Sequence, residues 1–140
     1  MSDRDPVIGR SILLPMMGLY GVAGLLHFVH NAVYLHDYPN LPPWLTSTGI
    51  CAAWCATTAV GVLGYWLYRR LSRRAGLLTI AFYAALGLGG LDHYAVAPIG
   101  AHSTVMNLTI VVEVVCAAAL LAVVVHLWMA TQRVGSEGAR

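Results

Sequence analysis

His27 and His30 stand three residues apart in the segment "HFVHN", within a stretch that is otherwise almost wholly apolar. Histidines at that spacing present two imidazoles toward one side of a helix, and the neutral imidazole is the commonest metal ligand. His93 lies in "LDHY" and Glu113 in "TIVVEVV". His27, His30, His93 and Glu113 together form a nitrogen and oxygen donor set suited to a divalent metal: zinc, iron or manganese. Bundle metal sites are assembled from such side chains on facing helices. Asp92 or Asn31 would orient a ligating ring through its second nitrogen. With one coordination position left open, a metal-bound water would serve hydrolytic or redox chemistry. No contiguous motif such as H-E-x-x-H accompanies these residues.

The spacing of their neighbours places the donors on two stripes. Tyr20, Gly24, His27, Asn31 and Tyr34 recur at intervals of three or four, as do His102, Met106, Thr109, Glu113 and Cys116. At a helical rise of about 1.5 Å per residue, His27 lies roughly 10 Å and Glu113 roughly 14 Å from the same end of their helices. That predicts a shared depth and a meeting across the bundle. Glu113 is the one carboxylate deep in an apolar run, and a charge there is costly unless it faces protein, a partner or a cavity. His36 and His102 fall in loops or helix ends, where wet interfacial roles suffice. His126 sits at the opposite end and reads as an interfacial or packing residue.

The elements that must carry these residues follow from composition. The chain has 140 residues, 59% hydrophobic and only 10% charged, whereas soluble domains carry about 25% charged residues. A domain this small has too little interior to hide so much apolar surface from water. Four apolar runs, at about 11–34, 44–68, 76–96 and 104–129, each approach the roughly 20 residues that cross a bilayer core. Backbone groups in lipid must be satisfied within the segment, so the runs are expected to be helices. The expected fold class is therefore all-α: an integral membrane four-helix antiparallel bundle over residues 1–140, one domain with short links. The first run has no small-residue cleavage site after it and is read as a retained helix rather than a signal peptide.

All eight basic residues are arginines. Arg4 and Arg10 precede the first run, Arg69, Arg70, Arg73 and Arg74 separate the second from the third, and Arg133 and Arg140 follow the fourth. The positive-inside rule puts both termini and the middle loop in the cytoplasm, and a bacterial inner (plasma) membrane is the expected location. The net charge of +2 thus encodes orientation, and no nucleic-acid partner is expected. The lipid bilayer is the expected partner, with a homo-oligomer or a larger membrane complex as further assemblies. Cys51, Cys55 and Cys116 fall inside the runs, so no extracellular disulfide framework is expected. Small apolar packing accounts for them. Trp44, Tyr34 and Tyr38 suit the outer interface, and Trp66, Tyr68 and Trp128 the inner one. "NLT" at Asn107 matches a glycosylation acceptor but lies inside a span.

Three functional classes compete. The reading adopted is a metal-binding histidine/carboxylate site in the outer half of the bundle. A proton-coupled small-molecule transporter would use Glu113 as its proton carrier. A structural or accessory membrane subunit would use the polar stripes only to lock helices together. His27 and His93 could also be axial ligands of one b-type haem, and quinone binding completes the set.

Overall fold

The computed structural model describes residues 5–137, and side-chain surroundings for 11–133. Arg4 and Arg140 lie outside the described residues. Helix α1 spans Asp5–Val33, α2 Ser47–Arg70, α3 Arg73–Gly87, α4 Asp92–Val96 and α5 Thr104–Glu137. Short 3-10 turns cover Leu35–Asp37, Leu88–Leu91 and Ile99–Ala101, and there is no strand among the described residues. Four segments are long and apolar enough to cross a membrane: Ser11–Val33, Ser47–Arg70, Arg73–Val96 and Thr104–Arg133. The helices form a closed ring in which α1 packs on α2 and α5, and α3 packs on α2 and α5. The all-helical four-span bundle expected from composition is what forms.

Periodicity explains which faces turn inward. On α1 the buried positions are Leu13, Met17, Tyr20, Ala23, Gly24 and His27, which keep to one helical face. On α5 they run Met106, Ile110, Glu113, Cys116, Ala117, Leu120, Val124 and Leu127, again on one helical face. The inner half of the core is apolar, with Leu13, Leu77, Ile80 and Leu120 essentially sealed. Leucines and valines on the opposite faces, such as Leu26, Val62 and Leu108, are exposed. In a bilayer these meet acyl chains as apolar as themselves, so outward apolar faces carry no penalty there.

Several boundaries differ from expectation. The second span begins at Ser47 rather than 44, because Pro42 and Pro43 oppose helical backbone before them and Thr46 supplies the cap. Its side-chain oxygen accepts from Gly49 N at 3.1 Å. The third span begins at Arg73, capped by Ser72 accepting from Ala75 N at 3.3 Å. Its outer half is not a continuous helix. The sequence "LGGL" tightens into a 3-10 turn at Leu88–Leu91 before α4 resumes. Gly90 permits this at close quarters, since a Cβ there would stand 3.3 Å from Val114 Cγ2. The inner α2–α3 turn is equally tight: Gly76 lies against the Tyr68 backbone with no room for a Cβ. Cys51 and Cys55 are exposed on α2 rather than packed, and only Cys116 is buried.

The α1–α2 and α4–α5 loops are tied down side chain by side chain. Asn40 takes a left-handed backbone (φ 56°) and its Nδ2 donates to Val96 O at 3.0 Å. Asn107 donates to Ile99 O and His102 O, and accepts from the Tyr94 hydroxyl at 2.9 Å. The "NLT" asparagine is thus a loop anchor.

Candidate functional site

His27 on α1, His93 on α4 and Glu113 on α5 lie together in the half of the bundle nearest the α1–α2 loop. Glu113 on α5 is 2% exposed and His27 on α1 is 3% exposed. Glu113 Oε2 lies 3.6 Å from His27 Nε2, so the depth and face predicted by helical rise both hold. Two glycines make room for the carboxylate. A Cβ at Gly24 would stand 3.2 Å from Oε1, and one at Gly90 3.5 Å from Oε2.

The hydrogen bonds determine which nitrogen of His27 carries its proton. Thr109 Oγ1 donates to Met106 O at 2.9 Å, which uses its only hydrogen. His27 Nδ1, 3.3 Å from the same oxygen, must therefore be the donor in that contact. In the neutral ring Nε2 is then a bare lone pair. It faces Glu113 and accepts from Asn31 Nδ2 at 3.1 Å. Asn31 Nδ2 also lies 3.4 Å from His93 Nε2, and the His27 and His93 rings are 5.3 Å apart between centroids. Asn31 Oδ1 is buried without a hydrogen-bond partner.

His102 follows the same logic. Its Nδ1 lies 3.2 Å from Pro98 O, and a carbonyl can only accept. Its Nε2 is again bare in the neutral ring, buried and without a partner. The residue is 6% exposed, its ring 6.0 Å from His93 and 5.5 Å from Tyr94. A wet helix-end role for His102 is thereby corrected: the loop folds inward and seals it.

The other expected residues separate. His30 is half-buried and held at the edge of the cluster, its Nδ1 2.8 Å from the Tyr38 hydroxyl and its ring 4.6 Å from that of Tyr34. Three residues along a helix rotate a side chain by about 60° short of a full turn, and Tyr38 captures it. Asp92 is exposed at the start of α4, and His36 and His126 are exposed. Among the described residues no three His, Cys, Asp or Glu side chains converge to hold a metal ion. The preassembled part is the His27–Glu113 pair with Asn31 and His93 beside it.

Sequence reasoning placed Tyr38 at the membrane interface, but it is 4% exposed and roofs the site, its ring 5.0 Å from His93 and 6.4 Å from His102. Burial pushes its phenol up to about 12. The proline-flanked loop that carries it gave a signal for a turn but none for folding back over the helices. Below the site, Tyr20 fills the core against Tyr83 at 4.6 Å, and its ring edge shares the Gly24 notch with Glu113. No protein-family model, no curated protein and no solved structure matches this chain.

Proposed function

We propose that the cluster binds a divalent transition metal at the preassembled His27–Glu113 pair, with Asn31 Oδ1 as a third ligand and His93 drawn in as the fourth on binding. The observation that carries this reading is the separation of the donor positions. Two atoms each about 2.0–2.1 Å from one ion stand roughly 3.3–3.6 Å apart at tetrahedral to trigonal angles. His27 Nε2 and Glu113 Oε2 are 3.6 Å apart, too long for a good hydrogen bond but the length of a coordination edge. The Asn31 amide terminus lies 3.1 Å and 3.4 Å from the two imidazole Nε2 atoms. Both amide orientations have nearly the same shape. Turning it puts the orphaned Oδ1 where Nδ2 stands and leaves His27 and His93 lone pairs free for a cation.

The reading has further support in the second nitrogen of His27, held by Thr109. That is the arrangement which fixes the tautomer and ring angle of a metal-bound imidazole. A set of two nitrogens and two oxygens suits zinc, manganese or ferrous iron. His30 is set aside as a ligand because Tyr38 holds it. A bound cation also neutralises a carboxylate that otherwise sits in apolar surroundings at a cost.

The test is elemental analysis of the detergent-purified full chain, followed by titration with Zn²⁺ and Mn²⁺. About one metal per chain is expected. His27→Ala should remove most of it, and His30→Ala and His126→Ala should not. A metal-free wild type that also fails to bind either ion refutes the proposal, as does equal loss in His27→Ala and His126→Ala. Glu113→Gln separates the competing readings. Lost metal supports the ligand role, whereas a raised melting temperature with no other change identifies a structural carboxylate whose desolvation is relieved.

A further inference from the structure

A second feature lies away from the metal cluster, on the lipid-facing side of the bundle. Between α1 and α2 runs a groove of about 370 Å³, lined by Met17, Gly18, Gly21, Trp54, Gly61 and Tyr83 among others. The glycines keep it open at its floor. A Cβ at Gly61 would come within 2.9 Å of the Tyr83 ring, and one at Gly21 would stand 3.4 Å from its hydroxyl oxygen. Tyr83 itself is 4% exposed and takes part in no hydrogen bond among the described residues. The hydroxyl is not sealed in the core but opens toward the groove, where a donor without a partner is costly because no water reaches it.

Depth restricts what can satisfy that hydroxyl. Gly21 lies ten residues from Ser11 and twelve from Val33, the ends of its span. Tyr83 lies ten from Arg73 and thirteen from Val96. At about 1.5 Å per residue both are close to the middle of a core about 30 Å thick. Phospholipid ester carbonyls stay at the interface, and only methylene and methyl groups reach this level. The acceptor must therefore arrive on a neutral molecule that dissolves in the bilayer centre and carries its own carbonyl. Trp54 offers an aromatic wall to a flat ring, and the volume falls within the range of small-molecule pockets.

We propose that the α1/α2 groove binds the ring of an isoprenoid quinone, with the Tyr83 hydroxyl donating to a ring carbonyl and Trp54 covering the ring face. The groove shares no lining residue with the metal cluster, although Tyr83 neighbours Glu113 through Tyr20. The probe is a short-chain ubiquinone with one isoprenoid unit, added to the full chain in lipid nanodiscs. Trp44, Trp66 and Trp128 are first replaced by Phe so that Trp54 alone reports. Saturable quenching of Trp54 at one quinone per chain is expected. Tyr83→Phe, which keeps the ring, should weaken it about tenfold, the effect of one lost hydrogen bond. Gly21→Leu should abolish it by filling the floor, and His27→Ala should leave it unchanged. Phospholipids brominated on the acyl chain should quench without any response to Tyr83→Phe. Quenching that rises linearly without saturation, or a folded Tyr83→Phe protein that binds within twofold of the parent, overturns the proposal and leaves an acyl chain as the occupant.

Discussion

Replacing Gly24 by alanine tests whether the carboxylate position matters to the site. The added Cβ would stand 3.2 Å from Glu113 Oε1 and 4.0 Å from its Cδ. The first distance is tighter than ordinary contact, so the carboxylate must move by a few tenths of an ångström. Retreat is limited on one side, because the other oxygen stands 3.6 Å from His27 Nε2. Metal sites hold their bond lengths to about 0.2 Å. A shift of that order should weaken Zn²⁺ binding about tenfold, or roughly 1.4 kcal/mol. Gly18→Ala is the matched control, on the same helix with nothing within 4 Å of its Cβ. Both substitutions gain the same backbone term of about 0.5–1 kcal/mol, so their difference isolates the contact. Calorimetric titration gives the affinities, and circular dichroism melting confirms that both variants fold. Equal affinities in two folded variants would falsify the idea that this notch positions a ligand.

Other perturbations reach the surroundings of the site. Gly87→Ala sets a Cβ 2.5 Å from the Tyr20 ring, which Tyr83 blocks from behind; overpacking of this kind should cost about 1–3 kcal/mol, read as a lower midpoint in a denaturant melt. Tyr38 has a folded-state pKa of about 12 against a reference of 10.0, so the stability tied to its protonated phenol is complete below pH 10 and lost as pH rises through 12. Over that window the parent's melting temperature should fall more steeply than that of Tyr38→Phe, and parallel curves would contradict it. Arginine segregation predicts cytoplasmic termini: in a cysteine-free background, an impermeant thiol reagent outside the cell should label Asn40→Cys and neither Ser2→Cys nor Ser136→Cys. Labelling of the termini alone would reverse the topology.

The spans were legible because lipid imposes a simple rule on length and polarity, and each apolar run obeys it. Depth was legible as well: constant helical rise brought His27 and Glu113 to one level before any side chain was placed. What periodicity leaves open is where a ring points. His30 shares nearly the same face as His27, yet a phenol from a loop eight residues on captures it. Loops were the weaker part throughout. Nothing in "HDYPNLPP" or "APIGAHS" marks Tyr38 and His102 as buried, since their burial depends on anchors from Asn40 and Asn107 that act across the fold. The break at Leu88–Leu91 lay in plain view as two adjacent glycines, but small residues in a span also mark close helix packing. Here Gly90 does both, turning the chain and clearing space for Glu113.

The tight turn at Gly76 has a consequence for the order of assembly. It joins α2 to α3 through contacts between neighbours in the chain, from the Leu71 N to Leu67 O bond to the meeting of Gly76 with Tyr68. Closing so short a loop costs little entropy, so this hairpin can form as soon as both segments are in the bilayer. The polar cluster is the reverse case. His27 meets Thr109 across 82 positions, and Asn31 meets His93 across 62. Its parts come from α1, α4 and α5, so it is complete only when the first and last helices close the ring around the hairpin. The His27–Thr109 contact thus forms only after the ribosome has delivered Thr109, and a product truncated before it would carry the hairpin without the site.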